Sequence, residues 1–309
     1  MNDITIKTLD LSYLDEIHAL LNNNYIEHPS DLYRIVYPKD FIYWYLKYIP
    51  NGYIIGLINK KKLIGFATLM ILDIINDDVP TKFAQINLLC VHKSLRGHNL
   101  SKILLDKLQY NMNHNIIYYS SKKTNNKISN YVIPINGKKL FSVEFIDDPI
   151  LNHIDNELPN IFHITRNTDL ITIKNKLNNF LSKYQVKVFF NDLSAQHFLM
   201  PKKDIVYSFI RKDDNIITDF VSFYKSYWYC PNKKKILSIA TLGYYFYESM
   251  TLTNMIQHVL PKLNNYGFDL LFFHNIMDNS NINIVKYPID MDIYSNIDIK
   301  GHNLAIHPF

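Results

Sequence analysis

Cysteine is almost absent from this sequence. Of 309 residues only Cys90 and Cys230 are cysteines, and neither has a partner at the spacing of metal ligands. A disulfide framework needs more cysteines, and a zinc site needs clustered Cys or His residues. The composition therefore excludes a disulfide-stapled secreted domain and predicts no metal centre. We expect a protein of a reducing compartment, the cytoplasm.

Long apolar runs are also lacking. The most apolar stretch, residues 63–75, is interrupted by Asp73 and is shorter than the roughly 20 residues that a membrane span requires. The first residues carry no basic segment followed by an apolar core, so no secretory signal is expected. These absences predict a soluble protein without a membrane span.

A long basic block is the third missing feature. The net charge is +5, but the lysines stand in scattered pairs and triplets, as at residues 60–62 and 233–235. Nucleic-acid-binding proteins usually carry a basic stripe along one face. The pattern therefore argues against a nucleic-acid partner and is compatible with a small anionic ligand. The hydrophobic share of 48% is ordinary for a globular protein and provides for a core.

The first half of the sequence predicts a helix, a hairpin, a strand, a turn, a helix and a strand. Residues 11–23 place apolar side chains at helical spacing. Residues 53–58 and 63–75 are rich in β-branched and aromatic residues and predict a hairpin around residues 59–62. A strand at 83–91, a helix with Leu100, Ile103, Leu104 and Leu108 on one side, and a short strand at 116–119 follow.

The same order recurs in the second half. A helix is predicted at 171–184, a hairpin from 205–211 and 218–224, a strand at 236–247, a helix at 252–265 and a strand at 268–273. Residues 152–160 have loop composition. We therefore predict an α+β protein of two similar units, residues 1–160 and 161–309, related by topology rather than by residue identity.

The strongest local motif is residues 95–101, Leu-Arg-Gly-His-Asn-Leu-Ser, between the strand at 83–91 and the helix that follows. The first turn of a helix presents unpaired backbone N–H groups and a favourable dipole to an anion. Gly97 allows close approach of the backbone, Asn99 tolerates a left-handed conformation, and Ser101 is small. The motif therefore predicts a phosphate-binding turn.

Residues 85–96, Gln-Ile-Asn-Leu-Leu-Cys-Val-His-Lys-Ser-Leu-Arg, resemble a segment of the N-myristoyltransferase family, Glu-Ile-Asn-Phe-Leu-Cys-Val-His-Lys-Lys-Leu-Arg. Further similar segments follow in the family's order at 21–27, 218–224, 244–247 and 267–269. Tyr33, Arg34, Tyr37, Phe41 and Trp44 also stand at the family's spacing. The resemblance covers nearly the whole chain, from about Thr8 to near the end.

The resemblance implies two GCN5-related acyltransferase-like halves around a saddle-shaped mixed sheet, and transfer of myristate from myristoyl-CoA to an N-terminal glycine. It implies an oxyanion hole from the backbone N–H groups of Leu88 and Leu89, the α-carboxylate of Phe309 as base, and Ser120 beside the acceptor amine. The acyl-CoA contacts it implies are Leu88, Cys90, Val91, Arg96, Gly97, His98, Asn99, Leu100 and Ser101. The peptide contacts it implies are Tyr25, Ile26, Glu27, Tyr33, Tyr37, Tyr119, Tyr224, Tyr244 and Asn275.

The sequence departs from the family pattern mainly on the peptide side. The family's Tyr-Trp-His is missing around residues 131–136, Asn275 replaces an aspartate, and Trp228 stands where the family has a serine. About ten residues precede the first helix, where the family has a longer segment over the acyl-CoA, so looser acyl-CoA binding is expected. Three functions stay open: a myristoyltransferase with altered peptide preference, a silent binder of acyl-CoA or acylated peptides, and an acyltransferase of different chain length or acceptor. We expect a monomer that needs no cofactor beyond its acyl donor.

Overall fold

In the computed structural model, the residues described are 3–25, 32–50, 53–109, 114–120, 126–148, 154, 157–296 and 301–307. The first half of the chain contains β1 (Ile4–Thr8), α1 (Leu14–Asn24), β2 (Arg34–Val36), α2 (Lys39–Tyr48), β3 (Ile54–Asn59), β4 (Lys62–Asn76), β5 (Val79–Val91), α3 (Leu100–Gln109), β6 (Asn115–Ser120), β7 (Asn126–Pro134) and α4 (Gly137–Ser142). The second half contains β8 (His163–Ile164), α5 (Leu170–Leu181), β9 (Val186–Val188), α6 (Asp192–Leu199), β10 (Val206–Asp213), β11 (Ile216–Cys230), β12 (Lys235–Tyr247), α7 (Leu252–Asn265), β13 (Leu270–His274), β14 (Tyr287–Ser295) and β15 (Leu304–Ala305).

The strands of both halves join in one mixed sheet in the order β1-β3-β4-β5-β6-β14-β7-β13-β12-β11-β10-β8. Most pairs are antiparallel, but β5 pairs with β6 and β12 with β13 in parallel. A parallel pair needs a crossover, and α3 and α7 supply one in each half. The predicted α+β class and the repeated order of elements are confirmed.

Local sequence explains several element boundaries. The turn between β3 and β4 places Lys60 at φ 46° and Lys61 at φ 66°, the left-handed pair that a two-residue hairpin loop requires. The predicted helix at 252–265 has the bounds of α7. The predicted apolar side of α3 is buried at Leu104, whereas Ile103 is 38% exposed, so its assignment to that side was wrong.

The main hydrophobic core runs through both halves and includes the end of the chain. It joins α1, α2 and the inner face of β4 and β5 to α5, α6, β11 and α7, and it takes in Leu304, Ala305 and Ile306. β15 is held by parallel pairing with β9, which itself pairs with β4. The segment near the C-terminus is thus enclosed between the two halves. In the described parts of the chain no helix is long and apolar enough to span a membrane.

Candidate active site

A bulge in β5 lies at the centre of the first half. β4 pairs Phe66 with Cys90 and Thr68 with Asn87, so Leu88 and Leu89 together oppose the single residue Ala67. Leu88 has a φ of 53°, a left-handed conformation that a leucine rarely adopts. A bulge of two residues against one interrupts the ladder and re-aims its backbone groups. Strain of this kind persists only where the surrounding fold imposes it.

The turn that follows β5 has the conformation predicted for a phosphate site. Gly97 has a φ of 86° and Asn99 a φ of 58°, and α3 begins at Leu100. A Cβ atom at Gly97 would have no neighbour within 4 Å, so the turn is open on that side. His98 and Ser101 are exposed. The open turn at a helix N-terminus suits an anionic group.

Asn24, at the end of α1, fixes this turn from the other side. Its Oδ1 accepts the backbone N–H of Lys93 at 3.0 Å, and its backbone carbonyl accepts from the Arg96 guanidinium. Cys90 packs beside it, with Sγ 3.9 Å from the Leu20 carbonyl oxygen. Arg96 therefore holds the turn against α1, and its predicted contact with an acyl donor stays a prediction.

Two polar side chains on the inner face of β5 interrupt an otherwise apolar strand. Asn87 donates from Nδ2 to the Tyr45 hydroxyl at 2.7 Å, and Thr68 donates to the Asn87 carbonyl at 3.0 Å. Gln85 is fully buried and donates from Nε2 to the His307 carbonyl at 3.0 Å. These bonds connect α2, β4, β5 and the tail immediately beside the bulge.

The tail residues Ile306 and His307 are held by hydroxyl groups from both halves. Tyr119 donates to the Ile306 carbonyl at 2.8 Å. The His307 backbone N–H donates to the Tyr244 hydroxyl at 3.1 Å, and its ring Nε2 lies 2.7 Å from the Leu242 carbonyl. Tyr119 and Tyr244, two of the predicted peptide contacts, thus meet at the tail.

Burial sets the protonation of the groups around the tail. It raises the pKa of Tyr119, Tyr224 and Tyr244 above the usual tyrosine value, so these hydroxyls remain neutral. Burial, and secondarily the neighbouring His307, lowers the pKa of His274 well below the usual histidine value. His274 lies 2.7 Å through Nδ1 from the Asn130 side-chain oxygen. The site surroundings are therefore aromatic and neutral.

The remaining predicted peptide contacts do not lie in one cluster. Tyr25 and Tyr37 lie together, with ring centroids 6.0 Å apart, and Tyr224 lies 5.6 Å from the His307 ring. Tyr33 is 2% exposed and stacks on Trp228 at 4.2 Å in a separate core cluster. Asn275, whose backbone N–H donates to Ser129 at 2.8 Å, is half-buried after β13.

Three predicted residues, Ile26, Glu27 and Phe309, lie outside the described residues. Ser120 ends β6, where its backbone pairs with Tyr294. Leu89 and Val91 are partly exposed beside the buried Cys90. The structure thus brings the bulge, the open turn and the tail into one region, although the roles of individual residues stay predictions.

Sequence analysis assigned no role to Gln85, Asn87, Asn24 or His307. The first two gave no signal of a buried site, because polar residues that alternate with apolar ones are typical of a half-buried strand whose polar side faces solvent. Asn24, one residue beyond the predicted helix, resembles an ordinary helix end. His307 gave no local signal, since its partners are more than 60 residues away.

Comparison with known proteins identifies the family. Residues 2–132 match Myristoyl-CoA:protein N-myristoyltransferase, N-terminal domain, and residues 154–287 match the C-terminal domain. A protein of Acanthamoeba polyphaga mimivirus, provisionally assigned as a glycylpeptide N-tetradecanoyltransferase, is 40% identical over 92% of this chain and 82% of its own length. The glycylpeptide N-tetradecanoyltransferase of Plasmodium falciparum is 28% identical over 86% of this chain and 71% of its own length.

A solved structure has the same fold. Saccharomyces cerevisiae N-myristoyltransferase with bound myristoyl-CoA superposes with a TM-score of 0.83 at 20% identity, over 96% of this chain and 82% of that one. The two family matches together span well over half of the sequence. The chain belongs to the myristoyl-CoA:protein N-myristoyltransferase family.

Proposed function

We propose that this enzyme transfers myristate from myristoyl-CoA to the N-terminal glycine amine of other proteins. The observation that carries the proposal is the β5 bulge, whose strand continues directly into the open turn before α3. Such a strand can hold a thioester carbonyl at the bulge while the turn holds the anionic end of the same acyl donor. Family membership supports an acyltransferase, and the geometry supports the further details that are proposed below.

The bulge is proposed as the oxyanion hole. When the amine attacks the thioester carbonyl, a C–N bond forms and negative charge develops on the carbonyl oxygen. The backbone N–H groups of Leu88 and Leu89 are proposed to donate to that oxygen. A donor placed for developing charge contributes about 3 kcal/mol to lowering the barrier. The C–S bond then breaks, the nitrogen loses its second proton to the departing sulfur, and coenzyme A leaves as the thiol.

The turn from Arg96 to Ser101 is proposed to bind the phosphate groups of coenzyme A. Its left-handed residues Gly97 and Asn99 expose successive backbone groups, and the α3 N-terminus adds a favourable dipole. Lys93, in the short 3-10 turn before it, is exposed and adds positive charge near this end. We assign this function to residues 1–160.

The α-carboxylate of Phe309 is proposed as the base that takes a proton from the glycine ammonium. A free α-carboxyl titrates near 3.5 and an α-amine near 8, so the carboxylate is weak as a base and acts chiefly through its position. The buried, hydrogen-bonded tail at Ile306 and His307 supports this assignment. Residues 161–309, with Tyr224 and Tyr244, are proposed to share the acceptor peptide with Tyr25, Tyr37 and Ser120.

The first experiment is to mix the protein with myristoyl-CoA and a library of N-terminal glycine peptides and to measure acylation by mass spectrometry. Acylation at the glycine amine is expected. Acyl-CoA that binds but stays intact with every peptide would contradict the proposal and identify a silent binder. A donor series with no optimum near fourteen carbons would instead indicate another acyltransferase.

The proposed base has its own test. Adding residues after Phe309 should lower turnover about hundredfold, because its carboxylate becomes a peptide amide and the new terminal carboxylate is displaced, while acyl-CoA affinity should not change. Turnover by the extended chain at the unextended rate would remove the terminal carboxylate from the mechanism. Extension of the N-terminus with the same residues is the matched control.

A further inference from the structure

Gln85 connects the bulged strand to the tail. It is fully buried on β5, three residues before Leu88. Its Nε2 donates to the His307 carbonyl at 3.0 Å, a contact between residues 222 positions apart in sequence. Because a carbonyl oxygen only accepts, the bond fixes which side of the amide faces the tail. The other side, Oε1, has no hydrogen-bond partner within the described structure.

Gln85 also lines a small cavity between the halves. It has a volume of about 30 Å³ and is lined by residues that include Tyr48, Asp73, Asn191, Ser194 and Tyr244. A polar cavity of this size accommodates one water molecule. The titratable groups that line this cavity with Gln85 are Tyr48 from α2, Asp73 from β4 and Tyr244 from β12, and His307 of the tail meets Gln85 through its backbone carbonyl. Among the described residues no lysine or arginine lines this cavity, so a carboxylate placed at residue 85 would find no opposite charge from them there.

Among the hydrogen bonds of the described residues, that of Gln85 joins the tail to the strand that carries the bulge, and other bonds restrain the tail from elsewhere. Tyr119 reaches Ile306 from β6, and Tyr244 reaches the His307 backbone from β12. A displacement of about 1 Å between reacting groups costs on the order of 100-fold in rate. The register of His307 against the bulged strand is therefore held by the Gln85 bond.

We propose that Gln85 is a positioning residue, which holds the tail in register with the thioester-binding bulge. Its amide does not titrate, so the bond does not depend on pH. The proposal rests on the terminal carboxylate acting as the base. The amide donates at every pH, whereas the glutamate of the family segment can donate to a carbonyl only when it is protonated. The amide therefore keeps the tail in place at alkaline pH.

The substitution Gln85→Glu tests the proposal through the pH profile. Burial raises the pKa of the introduced carboxyl. Below that pKa the protonated acid can donate to the His307 carbonyl, and above it the carboxylate faces an oxygen. The kcat of Gln85→Glu, divided by that of the unmodified protein, should fall about tenfold or more between about pH 6 and pH 9. The affinity for myristoyl-CoA should stay unchanged.

Asn178→Asp is the matched control. Asn178 also donates from a side-chain amide to a backbone carbonyl, that of Phe190 at 2.8 Å, but it does not contact the tail. The control should lose some stability and keep a pH profile parallel to that of the unmodified protein. A parallel profile for Gln85→Glu as well would overturn the proposal.

Hydrogen exchange separates this proposal from the base assignment. Gln85→Leu, which cannot donate at any pH, should accelerate amide exchange in residues 304–307 at least about tenfold, whereas Asn178→Asp should not. If C-terminal extension leaves turnover unchanged, the base assignment fails, yet the exchange result still reports on the Gln85 contact. If Gln85→Glu does not fold at neutral pH, Gln85→Leu carries the test, and unchanged exchange in the tail would refute the contact.

Discussion

Each half of the molecule contains a similar bulge, but only in the second half does a side chain form hydrogen bonds with the bulged backbone. In the first half Leu88 and Leu89 oppose Ala67. In the second half the ladder between β11 and β12 shifts in the same manner, and Gly243 and Tyr244 oppose Ser222. The Ser222 hydroxyl accepts the Tyr244 N–H and donates to the Tyr244 carbonyl, each at 2.9 Å.

The turn after the bulged strand also differs between the halves, because side chains fill it in the second half only. In the second half the buried Asp219 carboxylate accepts the backbone N–H groups of Glu248 at 3.1 Å and Ser249 at 3.3 Å, just before α7. A side-chain carboxylate thus occupies the place of an anionic ligand. In the first half, among the described residues, no side chain bonds the N–H groups of Leu88 or Leu89, and the Gly97 turn is open.

Buried backbone groups must find partners. In the second half, Ser222 and Asp219 accept hydrogen bonds from the backbone N–H groups at the bulge and the turn. These side chains occupy the positions that are open in the first half. A shared backbone framework therefore does not imply shared binding. We expect this hydroxyl and this carboxylate to decide which half can accept a thioester and its phosphates.

The largest expected effect comes from giving the first half the serine of the second. In Ala67→Ser the hydroxyl should bond the Leu89 amide and withdraw it from the oxyanion hole, lowering kcat about 100-fold. Steady-state release of free CoA measures the change. Ala84→Ser, an equally buried site on β5, is the control and should keep most of the activity. Full activity of Ala67→Ser would show that the bulge is not the oxyanion hole.

The reverse experiment removes the internal anion of the second half. Asp219→Asn weakens the charge-assisted bonds to Glu248 and Ser249 and should lower the free energy of unfolding by about 2 kcal/mol. Urea denaturation measures this loss. The KM for myristoyl-CoA should not change, because this turn is already filled. An altered KM would mean that the second half also contacts the acyl donor.

A third test compares two glycines with left-handed φ values. Gly97→Val and Gly267→Val impose the same backbone strain, since φ is 86° and 75° and a Cβ atom meets nothing at either site. Both should lose stability. Only Gly97→Val should raise the KM for myristoyl-CoA, by about tenfold, because it alone distorts the proposed phosphate turn. Equal KM values for both variants would locate coenzyme A elsewhere.

The smallest expected effect is on the pH dependence of stability, and it comes from the contact between α6 of the second half and α2 of the first. His197 of α6 stacks between Trp44 and Tyr48 of α2, with ring centroids 4.4 and 4.5 Å away. Burial lowers the pKa of His197 from 6.5 to about 4. The unfolded chain binds a proton between these values and the folded chain does not, so stability falls as the pH drops from about 6.5 to 4.

His197→Phe should preserve the stack and reduce that dependence, by less than about 1.4 kcal/mol per pH unit, the limit for one proton. Unfolding midpoints at several pH values measure it. The exposed His163→Gln is the control and should retain the slope of the unmodified protein. An identical slope for His197→Phe would show that His197 does not govern acid stability.

Much of the fold could be predicted from local sequence. The Lys60-Lys61 hairpin, the strand at 83–91, α3 and α7 were found because apolar periodicity and turn residues act over a few positions. α2 was missed since its consecutive aromatic residues, at 43–45, hide the helical period. The insertion of β14 between β6 and β7 was also missed, because strand order depends on distant pairing.

The sequence by itself determined the family, the repeated order of elements and the left-handed turn around Gly97 and Asn99, since few residue types tolerate those backbone angles. Only the tertiary structure decided the left-handed φ of Leu88, the docking of the tail against Gln85 and the closure of the second bulge by Ser222. Leucine has no local preference for φ 53°, and a partner 222 residues away leaves no local pattern. Such features follow from packing, which imposes a conformation that neighbouring residues alone would not select.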